Sequence, residues 1–162
     1  MLEVVSQCLV ALLNDIALVV GLAPAAADAS GGAQPPAHVF EPGAFSLAQR
    51  LGCWASKWRL YTAIGACTGL LSMCITGVLS REASLLSLAS LSRAAFVGAV
   101  HLGVSANTRY QLVNGLEVLL YRALPMLQAR ACSVALRFAN NWAGGFSWIA
   151  LATVTRNAWP LV

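Results

Sequence analysis

Charge is what this 162-residue chain has least of: Asp, Glu, Lys and Arg together make up 10 % of it, against 59 % hydrophobic residues and a mean hydropathy of +0.72. An average soluble domain carries about 25 % charged residues. A compact water-soluble fold must cover a large surface with polar groups, and too few are present, which excludes an ordinary globular enzyme. Lysine is almost missing: Lys57 stands with Arg50, Arg59, Arg81, Arg93, Arg109, Arg122, Arg130, Arg137 and Arg156 for a net charge of +4. These cations are scattered singly, mostly at the ends of apolar runs, and form no dense patch that would track a nucleic-acid backbone. The chain also lacks G-x-x-x-x-G-K-[ST], H-E-x-x-H and G-x-S-x-G, which removes three common enzyme patterns. Cys8, Cys53, Cys67, Cys74 and Cys132 include no C-x-x-C pair, so neither a disulfide framework nor a zinc site is expected. They read as small buried hydrophobes in a reducing compartment. No metal, no cofactor, no nucleic-acid partner and no enzymatic activity are expected.

What is present is a series of apolar runs. Residues 4–23 are apolar except for Ser6, Gln7, Asn14 and Asp15, and Pro24 closes the run. About 20 apolar residues suffice to span a bilayer. This N-terminus lacks a basic leader region and carries Glu3, so it fits neither a secretory signal nor an organelle transit peptide. It is expected to be a mature helix or the start of an incomplete chain. Residues 24–44, rich in Pro, Gly and Ala, form a loop by composition. Residues 45–59 hold Trp54 and Trp58 one turn apart beside Arg50, Lys57 and Arg59, as an interfacial anchor would. Residues 60–79 contain no charge, and within them Gly65 and Gly69 form a G-x-x-x-G that would let helices approach closely in lipid. Apolar stretches follow at 94–106 and 131–154. The expected architecture is all-α: one membrane domain over residues 1–162 with no separate soluble domain, and about four main helical segments, three or four of them crossing the bilayer. The expected partners are the lipid bilayer, a second copy of the chain, and a small charged metabolite.

Polar residues inside these runs carry the functional question. On a helix, Tyr110, Asn114, Glu117 and Tyr121 fall on one face, with Asn107 and Gln111 beside them. In the last segment Arg137, Asn141, Gly144 and Trp148 align at i, i+4, i+7 and i+11. Ionisable residues on membrane helices face a bundle interior or a water-filled path. Two readings stand: a substrate or ion site built from Glu117, Tyr110, Asn114, Arg137 and Asn141, or a structural Glu117–Arg137 pair with amides joining the helices. Glu117 is the sole acid after Glu82. Left embedded and unpartnered it would cost roughly 2.5–3.5 kcal/mol, so a cation is expected beside it, either Arg137 or a bound ammonium or guanidinium group.

The same residues carry a family resemblance. Ser105-x-Asn107-x-Arg109-Tyr110-Gln111-x-x-Asn114-Gly115-x-Glu117, the spacing to Leu124-Pro125, and Leu136-Arg137-x-x-Asn140-Asn141-x-x-Gly144-Gly145 resemble the signature of the reticulata-related proteins of plants and algae. Phe40-x-Pro42-Gly43, Gln49-Arg50 and Thr76 match more loosely. Gly77 and Thr153 depart from it, standing where Asn and Arg are expected. The resemblance implies an integral protein of the plastid (chloroplast) envelope membrane, imported with a transit peptide and involved in leaf and chloroplast development. It also implies a role in metabolite supply, with carriage of basic amino acids one form; the alternative reading of the polar stripes is a non-transporting membrane scaffold or developmental factor in which they only hold helices or subunits together.

Overall fold

The computed structural model describes residues 35–158, together with Leu12 and Ile16. The expected helix at 4–23, those two helical residues apart, and loop residues 24–34 lie outside them. The described chain is helical without a strand: α1 (Leu47–Ser80), a 3-10 turn (Ala83–Leu86), α2 (Leu88–Val100), a π-helical turn (His101–Ala106), α3 (Asn107–Ala123) and α4 (Met126–Ala158). The π turn joins α2 to α3 without a break, so three rods result. The anchor and the uncharged run expected as separate pieces are one helix, α1, and neither Arg93 nor Ser105 interrupts the second rod.

The number of spans requires a correction. Three or four crossings were expected; among the described residues two rods, Leu47–Ser80 and Leu88–Ala123, are long and apolar enough to cross a bilayer. At 1.5 Å per residue they are each more than 50 Å long, against a hydrocarbon core of about 30 Å. Helix α4 has the length, but Arg137, Asn140 and Asn141 dilute its apolar run.

Local chemistry sets the ends. Ser46 caps α1 in a capping box: its side chain accepts from the Gln49 N–H at 3.2 Å, and Gln49 Oε1 accepts from the Ser46 N–H at 2.8 Å. The helix closes on Arg81 in the left-handed conformation (φ 57°), with the Glu82 N–H donating to the Gly77 carbonyl at 3.1 Å. Ser87 caps α2, accepting from the Ser90 N–H at 3.2 Å. Leu124 takes the extended conformation that a following proline favours, and α4 starts beyond Pro125.

The short turn folds α1 and α2 into an antiparallel hairpin whose partners run from Gly77 against Leu86, through Gly69 against Ala94 and Gly65 against Gly98, to Trp54 against Asn107. The approach is backbone on backbone. A Cβ on Gly65 would collide with the Gly98 carbonyl and lie 2.7 Å from its carbon; one on Gly69 would collide with the Ala94 carbonyl. Tyr61, Leu102 and Ala106, flanked by Ile64 and Tyr110, continue the interface as the small apolar core. Helix α4 packs on the other side of the α2–α3 rod, mainly along α3.

Burial departs from that of a water-soluble bundle in how many polar residues lie inside and how many large apolar ones lie outside. Ser90, Asn107, Gln111, Ser133, Asn140 and Thr155 are buried, while Leu127, Val134, Phe138, Trp142, Phe146 and Ile149 on α4 are each more than 60 % exposed. Leu47, Leu88 and Leu119 are exposed as well.

Gly65→Ala should therefore destabilise the detergent-solubilised protein by about 1–3 kcal/mol, because the two backbones must separate to admit the methyl group. Gly52→Ala, on the same helix with open space around it, should stabilise it by about 0.5–1 kcal/mol. Thermal melting of both variants measures the contrast; equal shifts would show that close approach is not what holds the hairpin.

Candidate functional site: the polar seam between two helices

Helices α3 and α4 meet along small and polar residues. Ser133, Arg137, Asn140, Gly144 and Ser147 recur every three or four positions and form the inner stripe of α4. From the other side come His101 and Ser105 in the π turn and Arg109 and Glu117 in α3. At the end near Pro125, Arg137 grips Glu117 with both arms of its fork: Nε donates to Oε1 at 2.7 Å and Nη2 to Oε2 at 2.6 Å. Ser133 donates a further hydrogen bond to Oε1. The carboxylate side chain is 13 % exposed, the guanidinium side chain 54 %. A bidentate arginine–carboxylate pair is among the stronger charge-assisted contacts.

One turn further on, Arg109 plays the reverse part. Its Nη1 donates to the Asn140 backbone carbonyl at 2.7 Å and to Asn140 Oδ1 at 3.3 Å, and its Nε donates to Ser105 Oγ at 3.3 Å. Among the described residues it has no carboxylate partner. The guanidinium lies where a side chain on Gly144 would be, 2.8 Å from that position. Ser105 Oγ donates to Ser147 Oγ at 3.0 Å, and Ser147 Oγ lies 3.4 Å from His101 Nδ1. The His101 ring meets Trp148 edge to face.

A second polar chain ties the loop at 35–46 to the helices. Asn107 Nδ2 donates to the Trp54 carbonyl at 3.3 Å, Gln111 Nε2 donates to Asn107 Oδ1 at 3.3 Å, and the Val39 N–H donates to Gln111 Oε1 at 2.9 Å. Asn107 is 1 % exposed and Gln111 4 %, so these amides satisfy one another away from solvent. Arg50 donates to the carbonyls of Val39, Glu41 and Gly43. Phe40 packs over Gly115, leaving no room for a side chain there.

Of the five residues read as a substrate site, the structure joins Glu117 and Arg137. The Tyr110 ring packs against Tyr61 at 6.2 Å between centroids. Asn114 is half-buried on the Glu117 helix and takes no part in the ion pair. Asn141 is exposed, because the inner stripe of α4 passes through Asn140 and Ser147 rather than Asn141 and Trp148. Reading the sequence for charge passed over Arg109, Asn140, Ser105 and Ser147. Their signal was the i, i+4 spacing of His101, Ser105 and Arg109 and the seven-residue recurrence of Ser133, Asn140 and Ser147.

Glu117→Gln and Arg137→Gln should each lower stability by about 1–3 kcal/mol, since either leaves a charged partner without its counterion. The double variant should lose less than the sum. A thermal-melting cycle reads the coupling; strictly additive losses would show that the two side chains do not support each other.

Comparison with known proteins adds identity to this geometry. The family model described as RETICULATA-like, Protein RETICULATA-related, matches residues 2–116, ending one residue short of Glu117. Protein RETICULATA-RELATED 3, chloroplastic, from Arabidopsis thaliana is 35 % identical over 129 residues, covering 75 % of this chain and 38 % of its own length. Protein RETICULATA, chloroplastic, from the same plant is 31 % identical over a 180-residue alignment covering 93 % of this chain and 41 % of its own. The chain thus spans about two fifths of the length of these relatives. No solved structure matches. With most of its length matched by the family model and the residues of its polar joints drawn largely from the motif that first suggested the likeness, the chain belongs to the reticulata-related family.

Proposed function

We propose that this chain is a non-catalytic integral membrane protein of the plastid envelope, whose polar seam fastens helices into a fixed scaffold. The observation that carries the reading is the burial pattern: amides and hydroxyls among the buried residues, and many Leu, Val, Phe, Trp and Ile side chains outside. Water would penalise that surface, and exposed apolar area on this scale marks a surface that meets lipid or another protein. In lipid, apolar burial gives no drive between helices, so close packing and interhelical hydrogen bonds must hold them, and the hairpin and the seam supply both. The plastid assignment comes from the relatives, whose names carry the word chloroplastic, and the envelope from what the family resemblance implies.

One feature favours a second reading, a carrier for a small charged metabolite such as a basic amino acid. Arg137 is half open to solvent while Glu117 beneath it is largely covered. A competing guanidinium or ammonium group would then reach the carboxylate by displacing an exposed partner, and Tyr110 and Tyr121 on the same helix are the candidate aromatic faces for that cation.

Two measurements separate these readings. A C-terminally tagged full-length form should mark the plastid rim and stay in the membrane pellet after alkaline carbonate; recovery in the soluble fraction would remove the integral reading. In liposomes, the scaffold reading expects no arginine or lysine uptake above that of empty vesicles. Uptake abolished by Glu117→Gln, with melting nearly unchanged, would replace it with the carrier.

A further inference from the structure

A cleft of about 600 Å³ opens between α1, α2 and α4, at the end of the bundle where the short turn joins the hairpin. It is separate from the seam and its Glu117–Arg137 pair. Its lining divides into two kinds. Arg93 from α2 and Arg156 from the last turn of α4 line the cleft, with Glu82 of the turn as the one acid among the lining residues. Among the described residues neither arginine has a carboxylate partner, and the described lining carries a net positive charge. Met73, Val97 and Ile149 supply an apolar wall from all three helices.

We infer that this cleft is a binding site for an anionic lipid, its phosphate-type headgroup held by Arg93 and Arg156 and its acyl chain laid along the Met73–Val97–Ile149 wall. The charge selects an anion, and the planar fork of arginine suits a phosphate oxygen pair. The apolar wall selects a ligand that continues as hydrocarbon, which a free inorganic anion does not. The position agrees: basic pockets between membrane helices near one surface bind acidic headgroups, and both arginines lie near helix ends, Arg93 early in α2 and Arg156 late in α4. The inference rests on the membrane reading for the supply of lipid, and the carbonate test can fail or succeed independently of it.

The experiment is thermal melting of the full chain in neutral detergent, titrated with phosphatidylglycerol, phosphatidylcholine or inorganic phosphate. Phosphatidylglycerol should raise the melting temperature, and the other two should leave it unchanged. Arg93→Gln with Arg156→Gln should weaken the apparent affinity for phosphatidylglycerol roughly thirtyfold, at about one factor of five per cation, with no change in melting without lipid. The double Lys variant, which keeps the charge and loses the fork, should bind with an affinity between those of the parent and the double Gln variant. Should the double Gln variant fail to fold, the single variants are read instead, each with an intermediate loss. An equal shift with phosphatidylcholine would leave only an apolar groove, and an equal shift with phosphate would leave an anion site without lipid. Either result, or unchanged affinity in the Gln variants, overturns the inference.

Discussion

Gly65, Gly69 and Gly98 bring two helix backbones into direct contact, so that a single methyl group at Gly65 or Gly98 would strike a carbonyl of the facing helix. The rest of the structure depends on that approach. It fixes the antiparallel register of α1 against α2, and with it the level at which Asn107 meets the Trp54 carbonyl. A rod continued through the π turn then presents one side to α1 and the loop and another to α4. The π turn contributes because its extra residue per turn rotates the helix face, by about 100° for one added residue at 3.6 per turn. Gly103 within it admits Thr62 from α1, so the rod stays against the hairpin through the change.

Two helices held by backbone contact can dispense with a large apolar core, and this one is small: Tyr61, Leu102 and Ala106 with their neighbours. The third rod joins through directional contacts instead. Each seam residue has a partner of matching polarity, from the Glu117–Arg137 fork to Arg109 on the Asn140 carbonyl. Such contacts specify one register because a shift by one residue would leave ionic or amide groups unsatisfied away from water. The apolar side chains are thereby left free to face outward, which suits a hydrocarbon surround.

Much of this was legible in the sequence. The shortage of charge announced the outward apolar surface, and the uncharged run at 60–79 marked the core of α1. The spacing of Glu117 and Arg137 within polar stripes anticipated a meeting of opposite charges, with substrate and structural readings left open. Other features were not legible, for stated reasons. Residues 45–59 looked like a separate anchor because their cations interrupt the apolar run, yet nothing there breaks a helix, and Ser46 with Gln49 caps it from the start. The stripe on α4 was placed through Asn141 because consecutive Asn residues leave the phase of a helix open by one position, and only packing against Arg109 selects Asn140. The role of Arg109 was hidden because its partner is a backbone carbonyl, which no side-chain pattern can signal. Among the described residues two spans are found, and α4 is not one of them because Arg137, Asn140 and Asn141 make it too polar on average, although Leu127, Val134, Phe138, Trp142, Phe146 and Ile149 are exposed along it.

Many of the residues that carry the family likeness fall on the joints of the bundle, Asn114, Asn141 and Gly145 excepted. Asn107 and Gln111 hold the loop, Gly115 receives Phe40, Arg109 occupies the space beside Gly144, and Glu117 holds Arg137. Such a motif preserves an assembly without requiring that any member meet a substrate. The seam is nevertheless not uniform along its length. At Arg109 the cation is satisfied by a carbonyl and a hydroxyl that belong to the protein's own framework, so nothing is gained by exchanging them. At Glu117 the acid is covered and its cation is open, and a mobile cation can take the place of an exposed arginine at far less expense than it can enter a closed joint. Of the two ends of the seam, the Glu117 end is therefore the one where the geometry leaves a cation exchangeable, while Arg109 is held by the protein's own carbonyl and hydroxyl groups.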